Sequence, residues 1–434
     1  MFTFPIVGQK IQLPEIFFLL LAPFILRYYR ALVHHIQFLG PAIFLLLLPS
    51  LVHLSSCFLY PTQAAFLELG GSVYLALLAL IFSWWFTVEH RPIHNLATIS
   101  SVAIFLSFAI SILSIISIWV PIGHGIDLVF PKQFPVLGII HRVEGFSITP
   151  NMQASILLVF LCLFLSTTTN NRSHQKWLFF SLGAFSLILT GSKVLITAFF
   201  SFLIACSTWL VSRLGWPPNL FRILGIAGII LYMSFLHLPC MTDGQYQQLE
   251  SAAYLQGNQT YRPFSGVTCR ASTYTLLKEK AVGFFLTHPV SGIGSGQFTK
   301  GIRQQQHIGA YPASAPVYAP HSIYFGILAE NGLIGAFLLL IWIILWMRTM
   351  TRVSFHRDQH PILDALRLIL LFFLLEGMAM DVMNHRGLWV VAGITIGVIM
   401  YGSETADPVE PGKKTFTGTI DPGHPSKLSF HKDR

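Results

Sequence analysis

Apolar residues come along this chain in runs of roughly twenty, broken by short polar connections. The runs fall at 12–29, 38–59, 66–88, 97–120, 150–166, 177–191, 194–211, 219–237, 321–347, 362–380 and 387–402. About 20 apolar residues carry an α-helix across a bilayer core. Lipid offers no partner for an open backbone, so each run must satisfy its own hydrogen bonds as a helix. The expected fold is an all-α polytopic membrane protein with about eleven to twelve transmembrane helices. A single bundle, 1–402, has one large, partly helical loop inserted at 238–320; a polar tail, 403–434, is expected to be disordered.

Composition agrees with that pattern. The chain is 53% hydrophobic and 10% charged, with a mean hydropathy of +0.64. The net charge of +9 is therefore an orientation signal and not a nucleic-acid footprint. The first run carries Glu15 near its start and lacks a small-residue cleavage site, so no cleavable signal peptide is expected.

The basic residues sort by side. Arg27, Arg30, Arg91, Arg172, Lys176, Arg213, Arg222, Arg348, Arg352 and Arg357 fall in alternate connections, whereas the opposite short loops carry Lys132, Arg142, Lys193 and Arg386. The positive-inside rule puts the first set, with the C-terminus, in the cytoplasm. The long loop and His321 then face outward. On that face Arg142, Lys193, Arg270 and Arg386 could ring one pocket with His321, because charges near membrane depth mark substrate paths. The plainer alternative is that Lys193 and Arg386 snorkel to the interface.

Within the loop, Asp243 is placed to cap a helix. In "RASTYTLLKEKAVGFFLTHP", Leu277, Ala281, Phe284 and Phe285 share one stripe, Lys278 and Glu279 another. That predicts an amphipathic helix, on the membrane surface or against the bundle, stopped near Pro289. Arg270 at its start opposes the helix dipole, so an anion ligand is one reason for it to be there. Cys162 and Cys206 lie inside spans and read as core residues. Cys240 and Cys269 share the loop, where an oxidising compartment would permit a disulfide. The glycines of "HPVSGIGSGQF" follow a helix and not a strand, which argues against a dinucleotide fingerprint; they suit a turn whose backbone approaches a ligand or the membrane. Acidic residues expected on the outer face are scattered, so no metal site and no cofactor is expected.

"THPVSGIGSGQF" followed by "PHSIYFGILAENGLIG", with "RVEGFSITPNMQA" and "TGSKVLITAF" upstream, resembles the O-antigen ligase and O-antigen polymerase superfamily of bacterial inner-membrane glycan transferases. The resemblance spans about 142–402 in the same order. It implies transfer of a glycan from an undecaprenyl-pyrophosphate carrier to an acceptor hydroxyl, on lipid A core or a growing glycan. The reaction would be inverting, metal-independent and periplasmic. Residue by residue, His321 matches the family histidine that activates the acceptor, and Arg270 the loop arginine at the pyrophosphate. Lys193 stands where arginine is usual, and a point charge cannot make the bidentate fork. Ser322 stands where asparagine is usual.

The residues carry such chemistry coherently. A sugar hydroxyl needs a base, and histidine titrates near neutrality. A pyrophosphate leaving group needs fixed cations. Arg270 and Lys193 would supply them, with Arg142 or Arg386 helping and Asp381 orienting His321 or Arg386. A solute transporter is the rival from another class. It would want ionisable residues at mid-membrane, where the sequence offers few beyond Glu376.

Overall fold

The computed structural model describes residues 2–3, 10–11, 36, 42–120, 128–134, 138–143, 149–168, 173–192, 194, 196–198, 201, 223, 225–228, 230, 240–242, 260–270, 272–313, 315, 317–352 and 361–406. Ten helices are described: α1 (Ala42–Leu59), α2 (Gln63–Val88), α3 (Pro92–Trp119), α4 (Pro150–Thr167), α5 (Ser173–Leu189), α6 (Thr273–Thr287), α7 (Phe298–His307), α8 (Ile323–Arg352), α9 (Pro361–Glu376) and α10 (Arg386–Ala406). The protein is an all-α polytopic membrane protein. Among the described residues, α2, α3, α4 and residues Ile323–Thr349 of α8 are long and apolar enough to cross a bilayer, and α1 and α10 carry shorter apolar stretches. Most of the expected runs at 12–29, 194–211 and 219–237, and the Asp243 helix, lie outside the described residues.

Helix starts follow local chemistry. Thr62 caps α2 by accepting from the Ala65 amide, and Thr149 caps α4 by accepting from Met152 ahead of Pro150. In lipid, helices associate through close backbone packing. Here α10 lies on α2 through Gly393 and Gly397, four residues apart. A Cβ at Gly393 would come within 2.2 Å of the Ala79 carbonyl oxygen, and one at Gly397 within 2.6 Å of the Phe86 Cβ. Buried Trp389, Phe372, Phe373, Leu366 and Ile394 continue that core.

Three two- or three-stranded ribbons accompany the helices. β1 (Phe2–Thr3) pairs with β2 (Lys10–Ile11). β3 (Val129–Phe134) and β4 (Gly138–Val143) form an antiparallel hairpin ahead of α4. In the long loop the strand order is β5 (Cys240–Thr242), β7 (Val267–Arg270), β6 (Thr260–Phe264). Helical periods and apolar runs carry no signal for strand pairing, so none of these ribbons is among the elements expected from the sequence.

The amphipathic helix is present as α6 and lies against α8, with Leu277 and Ala281 buried. One detail is corrected. Lys278 does not lie on an exposed polar stripe; it is 7% exposed, with Nζ donating to the Met378 carbonyl at 2.8 Å and lying 5.3 Å from the Phe325 ring centre.

Candidate functional site

His321 directly precedes α8, and its backbone is unusual. Among the described residues it is the one non-glycine with positive φ, at 50°. A Cβ-bearing residue in the left-handed region costs roughly 1–2 kcal/mol, and such strain persists where the surroundings over-determine it, often at functional sites. The surroundings here are specific. The Ile323 amide donates to the carbonyls of Gly377 (2.9 Å) and Met380 (3.2 Å), and the Ser322 hydroxyl donates to Gly377 (3.1 Å). Tyr324 Oη reaches the Leu374 carbonyl at 2.7 Å. The loop after α9 thus grips the start of α8 and presents His321 between two aromatic rings. Tyr274 of α6 lies 5.0 Å from its ring centre and Tyr318 5.7 Å. Ser322, where an asparagine was expected, serves as that backbone latch.

A second group lies along the same hydrogen-bonded path. Arg142, at the end of β4, is 4% exposed. Its Nε donates to the Thr190 carbonyl at 3.0 Å and its Nη2 to Asn151 Oδ1 at 2.9 Å. Ser192 donates to the same Asn151 oxygen at 2.7 Å. Gly191, with φ of +52°, makes that turn, and a Cβ there would meet the Arg142 chain at 3.3 Å. From Asn151 the path runs through its carbonyl to Ser155, and from Ser155 Oγ to both oxygens of Glu376 at 3.1 Å. Glu376 adjoins Gly377, the residue that latches Ser322. The hydrogen-bonded path from the "TGSK" turn therefore ends at Glu376, whose chain neighbour Gly377 holds Ser322 beside His321. The sequence suggests an anion-binding role for Arg142; in the structure two of its guanidinium nitrogens bond to the turn and to Asn151.

The remaining candidates divide. Lys193 lies outside the described residues, next to Ser192. The backbone of Arg270 ends β7, three residues before α6 begins. Asp381 is half-buried in the α9–α10 loop and accepts from Asn384 Nδ2 at 2.7 Å. Enclosure raises its pKa, with the Asn384 bond and the Met383 amide opposing. Arg386 opens α10. His385 beside it is pushed down to about 4 by burial, so it stays neutral at ordinary pH.

Several participants were missed. Glu330 accepts from the backbone amides of Gly296 (3.0 Å) and Phe298 (2.9 Å), and so holds the glycine-rich segment and the start of α7 against α8. Backbone bonds from Ile293 and Gly294 to Ala329 and Glu330, and from Leu333 and Ile334 to Pro289 and Val290, complete the clasp. The expectation that these glycines let backbone approach a ligand or membrane is corrected: at Gly292 the close partner is α8 itself, and Gly294 and Gly296 pack against Tyr60 and Ala64. A Cβ at Gly292 would fall 2.2 Å from the Glu330 carbonyl carbon, and one at Gly332 2.5 Å from the Val290 oxygen. Glu68, Glu330 and Asp381, far apart in sequence, line a single cavity of about 240 Å³ with Ser322, Pro320 and Asn384.

Residues 178–340 match a family model described as O-antigen ligase. That segment is similar to the O-antigen ligase/polymerase superfamily. The match takes in the "TGSK" turn, α6, the glycine clasp, His321 and Glu330. Arg142 and Asp381 lie beyond it in sequence but join it through the contacts above. At family level the match supports glycosyl transfer of the O-antigen ligase or polymerase type by a membrane enzyme. No curated protein matches the chain.

Proposed function

We propose that this protein transfers a glycan from an undecaprenyl-pyrophosphate carrier to an acceptor hydroxyl at the periplasmic face of the bacterial inner membrane, joining O-antigen to lipid A core. The observation that carries the reading is His321. It sits in a strained left-handed conformation between Tyr274 and Tyr318, inside the segment shared with the family.

In this mechanism His321 takes the proton of the acceptor hydroxyl as that oxygen attacks the anomeric carbon from the face opposite the leaving pyrophosphate. The two tyrosines hold the imidazole plane and offer apolar faces on which a sugar ring can stack. Arg270 and Lys193 neutralise the charge that develops on the departing pyrophosphate. Arg142 acts through Thr190 and Ser192 by fixing the turn that carries Lys193. Asp381 and Arg386 stand at the loop gripping α8, where they set the approach to His321.

The test is a lipopolysaccharide gel with carrier-lipid analysis in a strain lacking the gene, complemented by wild type or His321→Ala. Loss of long chains from lipid A core, with full-length glycan accumulating on the carrier, supports ligation. His321→Ala is expected to insert normally and to lower transfer roughly 10²–10⁴-fold. A core bearing a single repeat assigns polymerisation instead. An unchanged ladder, or full activity of His321→Ala, overturns the reading.

A further inference from the structure

Of the five cysteines, two fall on neighbouring strands of the loop sheet. β5 and β7 run antiparallel with Cys240 directly opposite Cys269, Met241 opposite Thr268 and Thr242 opposite Val267. Directly opposed residues in an antiparallel pair have Cα atoms about 4.5–5.5 Å apart, inside the roughly 4.4–6.8 Å window of disulfides. The two residues are separated by almost thirty positions in the chain, so the register and not the sequence brings them together. Cys57 and Cys162, by contrast, are free thiols in α1 and α4.

We propose that Cys240 and Cys269 form a disulfide that staples β5 to β7. The inference rests on the outward placement of the loop proposed above, because the compartment must be oxidising. Both thiols lose their protons, and the two electrons pass to the disulfide of an extracytoplasmic thiol–disulfide oxidoreductase, which leaves as a dithiol. The bridge pins the C-terminal end of the central strand. Arg270 is the next residue, and α6, which carries Tyr274, starts at Thr273. The staple therefore ties the pyrophosphate-facing end of the loop to the helix that packs on His321.

The experiment uses the full chain in intact cells. Thiols are trapped with N-ethylmaleimide before lysis, and the protein is denatured and cut with trypsin and a glutamate-specific protease. Cleavage after Glu250 and Arg270 separates the two cysteines, and Arg262 is shielded by Pro263. The expected result is one linked pair of peptides that splits only on reduction. Both peptides carrying the maleimide mass would overturn the bridge. In the Cys240→Ser variant, Cys269 is then probed with a membrane-impermeant maleimide. Labelling from outside, with both wild-type thiols trapped, rejects the bridge alone; labelling only after permeabilisation rejects the outward placement and the bridge together. Neither readout depends on transferase activity.

Discussion

At the scale of single residues, charge burial separates groups that sequence places side by side. Lys278 and Glu279 are adjacent, yet Lys278 is buried against Met378 and Phe325 while Glu279 is exposed. Burial pushes the Lys278 ammonium down from 10.5 to about 8. The folded state thus binds fewer protons than the unfolded chain between about 8 and 10.5, and stability rises with pH through that window. Below about 8 the cost of the buried charge is fully present. Lys278→Met is expected to flatten the apparent melting temperature across that range in detergent, whereas wild type climbs. Parallel curves for the two proteins would reject this account. Arg142 carries a similar lesson. A guanidinium that donates to a carbonyl and an amide oxygen looks the same in sequence as one that donates only to phosphate, since only the partners differ.

At the scale of elements, the glycine clasp is the feature whose geometry leaves least freedom. Positive-φ glycines here differ in what a Cβ would meet: opposing backbone at Gly292 and Gly332, mainly side chains at Gly294 and Gly296, and open space at Gly309. Gly292 and Gly332 each have φ near +60° and sit within 2.6 Å of opposing backbone at the Cβ position, whereas Gly309, with φ of +73°, has nothing within 4 Å. Gly292→Ala and Gly332→Ala are expected to abolish the monodisperse folded peak in size-exclusion chromatography. Gly309→Ala should cost only about 1–2 kcal/mol, the price of the left-handed conformation. Equal effects at all three positions would show that the interlock with Ala329–Ile334 does not set the fold here. Glu330 belongs to the same element. Its run "ILAEN" reads as a span carrying an awkward acid, and its purpose appears only when the amides of Gly296 and Phe298 are seen to point at it.

At the scale of the whole molecule, two surfaces answer two solvents. Phe44, Phe58, Phe66, Leu106, Trp177 and Phe337 are exposed on helices, as lipid-facing residues are, while Trp342, Trp389 and Phe372 fill the interior. The arginine pattern is what supports the proposed direction of this bundle, with the C-terminal tail inside and α6 and α7 outside. A fluorescent protein fused after the last residue is therefore expected to fluoresce, and alkaline phosphatase fused after His307 to be active. The reverse pair of signals would invert the proposed sidedness and with it the compartment of the site. Membrane helices, the amphipathic α6 and the family segment were all legible from the chain, because a bilayer imposes length and apolarity locally, one run at a time. The site was legible in part. His321 stood out as a titratable ring at the mouth of a span, but Tyr274, Glu330 and the path through Asn151, Ser155 and Glu376 did not. Those groups are defined by contacts between segments tens to hundreds of residues apart, and hydrogen-bond direction, strand register and backbone strain exist only once those segments meet.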